Sequence, residues 1–414
     1  MMKRSAPSGS MSSALVVATL VLLLSIQPIT TDLYLPALPS LPRALNSTVS
    51  AAQLTLSALI IGFGVAQLVW GPLADRFGRR PVLLAGLALY TVASVLAALA
   101  PSIELLIAWR ACQGAAMAAA VTCGRSIIRD LYAPQQGARV MAQALGGLGV
   151  IAFASPLLGG AIVHWLDWHA ALLVPALFGA ATLVFIALRF VETVPQSNPN
   201  ATRFAPLLRN WSLILGHATF RAFALLLSMA YAGLFILLAA SSFVFIEVLG
   251  LSRMACGAIL ASNSLFYVAG TFLCRHLLVR RGLRHTVAVG GVLSLTGGLL
   301  CAGLSLVGAH EASVFSIIVP GWIYMLGHGI HQPCGQAGAV GPFPDKAGTA
   351  ASLSGFLMMA VAFVVGLMLG RGLNGTVYPL TLGLGLFGCG VAAVAWTLVQ
   401  RHGEPLALPV PQPV

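Results

Sequence analysis

The sequence predicts an all-α polytopic membrane protein with twelve transmembrane helices arranged in two six-helix halves. Of its 414 residues, 58% are hydrophobic and only 8% are charged, whereas soluble domains carry about 25% charged residues. Apolar stretches of roughly 20 residues, the length that crosses a bilayer as a helix, recur along the whole chain. The most polar interval, residues 191–219, leaves six such stretches on each side.

Clusters of charged residues and helix-breaking Pro and Gly residues mark the ends of the predicted helices. These helices are about 13–38, 51–73, 81–100, 103–128, 138–166, 168–190, 220–248, 253–279, 285–308, 312–341, 346–371 and 377–400. The basic start and apolar run resemble a secretory signal, but no clear cleavage site follows, so we expect an uncleaved first helix. The predicted divisions are a first half over 1–190, a central cytoplasmic loop over 191–219 and a second half over 220–414.

The distribution of positive charge predicts the orientation. With the N-terminus placed in the cytoplasm, 18 of the 22 lysines and arginines lie on the inner side, including Lys3 and Arg4. Arg43, Arg253 and Arg371 lie outside, and Arg110 lies within a helix. By the positive-inside rule both termini are cytoplasmic. The net charge of +12 is then explained without nucleic acid as a partner.

The inner loop after the second predicted helix reads "GPLADRFGRRP" (71–81). Its candidate functional residues are Gly71, Asp75, Arg76, Gly78, Arg79 and Arg80. Arginines alone would set the topology, but topology gives no reason for Asp75, which can pair with an arginine, or for two glycines that allow tight turns. The loop resembles the G-x-L-x-D-R-x-G-R-R motif of the major facilitator superfamily, which implies that fold and a role in conformational switching.

A weak internal repeat supports two halves in parallel orientation. "LADRFGRR" (73–80) and "LLVRRGLR" (277–284) align at an offset of 204 residues and match Gly78 with Gly282. Parallel six-helix repeats are the architecture of one large transporter class. Val279 replaces Asp75 in the second copy, so the halves are no longer equivalent.

The fifth predicted helix ends with "ASPLLGGAIVHWLDWHA" (154–170), which contains Pro156, Gly159 and Gly160. A proline bends a helix, and a glycine pair lets a neighbouring backbone approach closely. Ordinary membrane-helix packing uses the same residues. The stretch also resembles the G-P-x-x-G-G motif of proton-linked exporters of the superfamily, with Ser155 in place of the first glycine.

Arg110 lies in the fourth predicted helix, about 10 Å from its outer end at 1.5 Å per residue. An intramembrane arginine costs about 2.5–3.5 kcal/mol to insert, so it needs a partner or a wet cavity. Its side chain could instead reach the outer interface and have no role. Gln113 shares its helix face, and the R-x-x-Q-G pattern resembles the fourth-helix motif of the same exporters.

Asp32 lies in the outer half of the first predicted helix, in "TTDLYLPALPSLP" (30–42). The carboxylate could simply reach the outer headgroups. The stretch resembles the first-helix signature T-D-x-Y-L-P-A-x-P of the Bcr/CflA drug exporters, and the resemblance extends through "FVFIEVLGLS" (243–252) and "FPDKAGTAASLSG" (343–355). We expect Asp32 and Arg110 to couple proton movement to transport. Tyr34, Gln113 and Tyr231 are the expected lining of the substrate cavity.

Other chemistries are less well supported. His328, His331 and Cys334 are spaced along one helix and offer soft metal ligands, but no second ligand cluster is evident, so a polar cavity lining is preferred. The sequence contains no nucleotide-binding loop and no G-x-S-x-G nucleophile motif, which argues against ATP-driven transport and against an intramembrane enzyme. We therefore expect no cofactor and no metal.

The resemblance implies proton-driven efflux of small lipophilic drugs, and hence antibiotic resistance, across a bacterial inner membrane by alternating access. The expected partners are a small-molecule substrate, protons and the lipid bilayer, with the protein acting as a monomer. The alternative is a dedicated exporter of a self-made metabolite such as a siderophore, a sugar or an amino acid. A dedicated polar substrate needs several fixed hydrogen-bonding groups, whereas the predicted helices contain few charges.

Overall fold

The computed structural model describes residues 11–132, 134–194, 198–307 and 313–403, and these residues form helices and turns without strands. Lys3, Arg4 and the ends of the ninth and tenth predicted helices near residue 310 lie outside the described residues. The helices are α1 (Ser13–Thr31), α2 (Leu41–Ala44), α3 (Val49–Phe77), α4 (Arg79–Ala98), α5 (Ile103–Leu131), α6 (Pro134–Trp165), α7 (Trp168–Arg189), α8 (Phe204–Gly216), α9 (Ala218–Ser242), α10 (Arg253–Val307), α11 (Val314–Val340), α12 (Ala347–Gly372), α13 (Tyr378–Trp396) and α14 (Leu398–His402).

Polar side chains fix where several of these helices begin. The side-chain oxygens of Ser12, Thr48, Ser102, Asp167 and Ser313 each accept a hydrogen bond from a backbone N–H in the first turn of the following helix. Such caps satisfy donors that have no partner within the helix. The apolar stretches between the caps then determine which segments cross the membrane.

Eleven helical stretches in the described residues are long and apolar enough to cross a membrane. The longest of them, α10, leaves helical geometry at Gly282 (φ 73°, ψ 178°) and so contains two successive spans. The predicted twelve-helix, all-α architecture is therefore confirmed. Gly78, the repeat partner of Gly282, also has a positive φ of 99°. Both glycines adopt a conformation that side chains with a Cβ rarely reach, which gives the internal repeat a structural basis.

The first predicted helix, 13–38, was too long. The α-helix ends at Thr31 and a short 3₁₀-helix, Leu35–Ser40, follows. Pro36 and Pro39 explain the change, because each lacks the backbone N–H that would continue the α-helical pattern. Asp32 consequently lies at the end of α1, just before the 3₁₀-helix.

The central segment was predicted as a loop, but it contains the amphipathic helix α8. Ile214 is buried and Trp211 is partly buried, whereas Arg209, Leu208 and Leu215 are exposed. The apolar residues recur at helical spacing, a signal that the polar composition of the surrounding segment obscured. The structure thus places a short helix where the chain passes from the first six spans to the second six.

Two helix pairs join the spans before residue 190 to those after residue 220: α3 lies beside α12, and α6 lies beside α10. We define the outer end of the bundle as the end that carries Arg43 and Arg253. At this end the Arg43 guanidinium lies 3.4 Å from the Glu247 carboxylate, which belongs to a π-helical extension of α9. This ion pair and the α6–α10 contact join the two groups of spans at the outer end.

Candidate functional site

Asp32 lies at the C-terminal end of α1, where its backbone N–H donates to the Pro28 carbonyl oxygen (2.8 Å). The Thr31 hydroxyl donates to the Asp32 carboxylate over 2.6 Å. Asp32 and Pro28, one turn apart, are partly exposed, although Thr31 and Leu33 beside Asp32 are buried. Contacts with α5, α6 and α7 cover much of α1, and Asp32 and Pro28 lie on a part of the chain that these helices leave partly uncovered.

Arg110 of α5 is fully buried and contacts the end of α1 from the other side. Its Nη1 donates to Gln113 Oε1 (2.7 Å), and its Nη2 donates to the Thr30 carbonyl oxygen (3.3 Å). The guanidinium carbon lies 4.2 Å from the centre of the Tyr34 ring. Gln113 is itself held by the Ser94 hydroxyl, to which its Nε2 donates over 2.7 Å. The structure thus brings the predicted Arg110, Gln113 and Tyr34 together.

Arg110 is stabilised without a carboxylate partner. Of the ion pairs within 4.0 Å among the described residues, none includes Arg110. Its charge instead faces the negative C-terminal end of the α1 dipole and the π face of Tyr34. Its Nε–H has no hydrogen-bond partner among the residues that the structure describes. The contact between Arg110 and the α1 segment that carries Asp32 is therefore through the Thr30 backbone carbonyl, and the two side chains do not form a salt bridge.

Hydroxyl groups complete the surroundings of Arg110, and of these the sequence had indicated only that of Tyr34. The Tyr34 and Thr55 hydroxyl oxygens lie 2.7 Å apart, and those of Thr30 and Tyr90 lie 2.5 Å apart. Tyr90 and Ser94 are one helical turn apart in the largely apolar part of α4 that follows Arg80, so their spacing was the available signal. Side-chain hydrogen bonds from α1, α3, α4 and α5 thus converge on one buried cluster.

Tyr231 is contributed by α9, in the second group of spans. Its hydroxyl lies beside the Gln27 side chain and within electrostatic reach of the Asp32 carboxylate. The predicted residues Asp32 and Tyr231, which belong to the first and second groups of spans, therefore lie near each other. A change in the relative position of α1 and α9 would alter the surroundings of the Asp32 carboxylate.

The predicted antiporter motif connects this cluster to α10. A Cβ atom on Gly159 would clash with the Leu33 carbonyl oxygen, so α6 packs directly on the backbone that follows Asp32. A Cβ atom on Gly160 would lie 2.6 Å from the Arg253 carbonyl oxygen. One on Gly257 of α10 would clash with the Pro156 carbonyl oxygen. The absence of side chains on these glycines allows α6 to contact α1 and α10 at once.

The loop between α3 and α4 is held by ion pairs. The Arg79 Nη1 lies 2.7 Å from the Asp75 carboxylate, and its Nε donates to Asp130 over 2.9 Å. Arg76 donates to the Thr202 hydroxyl (2.6 Å), and Arg80 donates to the Ala187 carbonyl oxygen (2.9 Å). These contacts tie the predicted arginines to α5, to the end of α7 and to the central segment.

The remaining predicted residue of this loop, Gly71, lies inside the helical part of the motif. The nearest side-chain atoms to an added Cβ would be those of Ser352 and Thr122, both at 3.8 Å. Gly71 therefore marks the place where α3 passes α12 and α5, and it has room for a small side chain.

Glu192 lies in the central segment and holds the loop between α3 and α4 in place. It was not predicted as a functional residue from the sequence. Its carboxylate accepts hydrogen bonds from the backbone N–H groups of Arg79 (2.9 Å) and Arg80 (3.0 Å) at the start of α4. It also accepts from the backbone N–H groups of Thr193 and Val194. Burial opposes ionisation of Glu192, but these four donors outweigh it and hold its pKa below the usual value. An anion at a helix N-terminus is stabilised in this way.

Glu192→Gln is expected to loosen this connection, because an amide carries no charge to match the donors at the start of α4. Hydrogen–deuterium exchange of the Arg79 and Arg80 amides should become faster in the variant, whereas amides in the middle of α4 should be unchanged. In the wild type, the same acceleration should appear only when the pH falls through the lowered pKa of Glu192. Equal exchange rates in the two proteins at neutral pH would show that Glu192 does not hold the loop.

The histidines of α11 do not converge with Cys334 on a metal site. His331 Nε2 lies 3.3 Å from the Val287 carbonyl oxygen, whereas the His328 ring lies against Tyr267. In the described part of the chain, no group of three or more His, Cys, Asp or Glu side chains is arranged to hold a metal ion. These residues line the interior between α9, α10 and α11.

Comparison with known proteins identifies the family. The model of the Major Facilitator Superfamily matches residues 20–367. The multidrug resistance protein D of Escherichia coli strain K12 is 30% identical over 82% of this chain and 84% of its own length. A chloramphenicol resistance protein of Pseudomonas aeruginosa is 31% identical over 81% of this chain and 79% of its own length. A bicyclomycin resistance protein homolog of Haemophilus influenzae is 26% identical over 90% of this chain and 93% of its own length.

Solved structures share the fold at lower sequence identity. A D-xylose–proton symporter superimposes with a TM-score of 0.71 at 15% identity, over 95% of this chain and 99% of its own. The human organic anion transporter MFSD10 superimposes with a TM-score of 0.68 at 19% identity, over 94% of this chain and 100% of its own. The relatives confirm the resemblance to the Bcr/CflA type of drug exporter. The chain belongs to the Major Facilitator Superfamily.

Proposed function

We propose that this protein exports small lipophilic drugs across a bacterial inner membrane in exchange for protons. The observation that carries the proposal is the position of Asp32, a partly exposed carboxylate at the end of α1 that lies near Tyr231 of α9 and next to the buried Arg110 cluster. The resistance named in three relatives supports drugs as the cargo. The protein acts as a monomer, with halves over 1–190 and 220–414 joined by the central segment 191–219.

The mechanism depends on which side of the membrane gives water access to Asp32. When the transporter is open outward, Asp32 takes up a proton and the substrate leaves. When the transporter is open inward, the proton departs and the next substrate binds. Arg110 holds the end of α1 through the Thr30 carbonyl oxygen and so positions Asp32, and the loop at 71–81 balances the two states through its ion pairs. One proton crossing 100 mV supplies about 2.3 kcal/mol. At 1.36 kcal/mol per decade this supports roughly a 50-fold substrate gradient.

The function is tested by expressing the chain in a bacterium that lacks its own drug pumps. We expect raised resistance to at least one lipophilic antibiotic, with chloramphenicol and bicyclomycin as the first probes. A protonophore should abolish the associated decrease in drug accumulation. Unchanged sensitivity to the whole panel, together with normal membrane insertion, would contradict drug export.

The proposed orientation is tested separately with reporter fusions. Fusions after residues 200 and 405 should report a cytoplasmic position, and fusions near residues 45 and 310 should report an external one. The reason is that the inner loops carry most of the arginines, which resist translocation. Residues 405 and 310 lie outside the described residues, so the fusions test the topology independently of the structure. An external position for residue 200 would overturn the twelve-span arrangement.

A further inference from the structure

Two cysteines far from Asp32 in sequence lie in contact inside the bundle. The sulfur of Cys274, in the first part of α10, lies 3.4 Å from the sulfur of Cys334 in α11. Both residues are buried, with exposed fractions of 2% and 1%. A disulfide would require about 2.0 Å, so the structure contains two free thiols whose sulfur atoms are already adjacent.

The helices hold this pair in place through their backbones. A Cβ atom on Gly270 would clash with the Leu326 carbonyl oxygen, and one on Gly329 would clash with the Tyr267 carbonyl oxygen. The two helices therefore approach as closely as glycine permits, one turn from each cysteine. Cys274 also lies 3.9 Å from the Ile330 carbonyl oxygen. The separation of the sulfurs is thus set by the packing of α10 on α11.

We propose that Cys274 and Cys334 form a dithiol site that captures trivalent arsenicals. Thiolates are soft ligands that select soft centres, and trivalent arsenic binds two sulfurs at an angle close to a right angle, which requires neighbouring sulfurs. With an aryl arsenoxide, two S–H bonds and the arsenic–oxygen double bond break and two arsenic–sulfur bonds form. Both protons leave with the oxygen as water, and no oxidation state changes.

The surroundings of Cys274 and Cys334 determine which arsenicals can reach the two sulfurs. The buried position excludes large or charged reagents, whereas a small neutral aryl arsenoxide can enter from the lipid. Both cysteines belong to the spans after residue 220, so alternating access does not separate them. Capture at this site therefore does not depend on Asp32 or on the direction in which the transporter is open.

The test uses purified full-length protein and phenylarsine oxide as the probe. After an excess of a monothiol has removed weakly held reagent, the wild type should retain one equivalent by intact-protein mass, and a dithiol should release it. Maleimide labelling after unfolding should then find five of the seven cysteines free before the dithiol is added. Cys274→Ser and Cys334→Ser should each retain none.

Cys301→Ser is the matched control. Cys301 is also buried, but its sulfur takes no part in the contact between the sulfurs of Cys274 and Cys334. It should retain one equivalent, as the wild type does. Each variant is scored only on its monodisperse fraction, which separates loss of the site from loss of the fold. Retention in Cys274→Ser, or release from the wild type by the monothiol alone, would overturn the proposal.

Discussion

Asp32→Asn is expected to abolish uphill transport driven by a proton gradient, while leaving the protein folded and inserted. An asparagine costs less to bury than a carboxylate, and the Thr31 contact at 2.6 Å can be kept by the amide oxygen. For one proton exchanged, the wild type in vesicles should accumulate substrate roughly tenfold per unit of imposed pH difference. The variant should equilibrate substrate without accumulating it.

Glu104→Gln is the matched control for this experiment. Glu104 is also a carboxylate in a membrane helix, but it is exposed at the outer end of α5. Its replacement should leave accumulation unchanged. If Asp32→Asn accumulates substrate as the wild type does, Asp32 is not the coupling carboxylate. Glu247, held by Arg43 at the outer end, would then be the next residue to test.

Gly160→Ala is expected to shift the protein toward the outward-open state. Its new methyl group would lie 2.6 Å from the Arg253 carbonyl oxygen and 3.3 Å from the Gly257 backbone, so α6 and α10 must separate at the outer end. Overpacking of this kind costs about 1–3 kcal/mol, which corresponds to a 5- to 150-fold change in a two-state equilibrium. The rate at which residues at the outer end react with a reagent in the outer solution should rise by a similar factor.

Accessibility can be measured at Val49, which is partly buried and lines a cavity of about 230 Å³ at the outer end with Phe243 and Leu373. A Val49→Cys reporter should react with an impermeant maleimide faster when Gly160→Ala is present. Gly149→Ala is the control, since a Cβ at Gly149 on the same helix would meet nothing within 4 Å. Equal rates in the two backgrounds would show that the α6–α10 contact does not keep the outer end closed.

The parts of the site that the sequence could predict depend on spacing within one helix. Arg110 and Gln113, three residues apart on α5, had to share a face, and their side chains are hydrogen-bonded. The end of α1 was misplaced because the apolar run continues to Pro39, although the prolines disfavour an α-helix there. Periodicity therefore located the helices well, but it did not resolve how the first one ends.

The contacts that the sequence could not predict join distant segments. Glu192 lies in the polar central segment, and nothing local indicates that its carboxylate binds the start of α4, more than 100 residues earlier. The need of Arg110 for a partner or a wet cavity could be predicted, but its partners, a helix end and the Tyr34 ring, could not. Backbone carbonyls carry no side-chain signature, so only the three-dimensional arrangement reveals them as partners.

The proposal that substrate and proton compete at Asp32 is tested most directly by measuring proton release when substrate binds. Purified protein in weakly buffered detergent solution is mixed with the drug identified by the resistance profile, and a pH indicator records the protons. The wild type is expected to release protons, because substrate favours the charged form of Asp32, and Asp32→Asn should bind the same drug with no release. Equal proton release from both proteins would contradict a coupling role for Asp32.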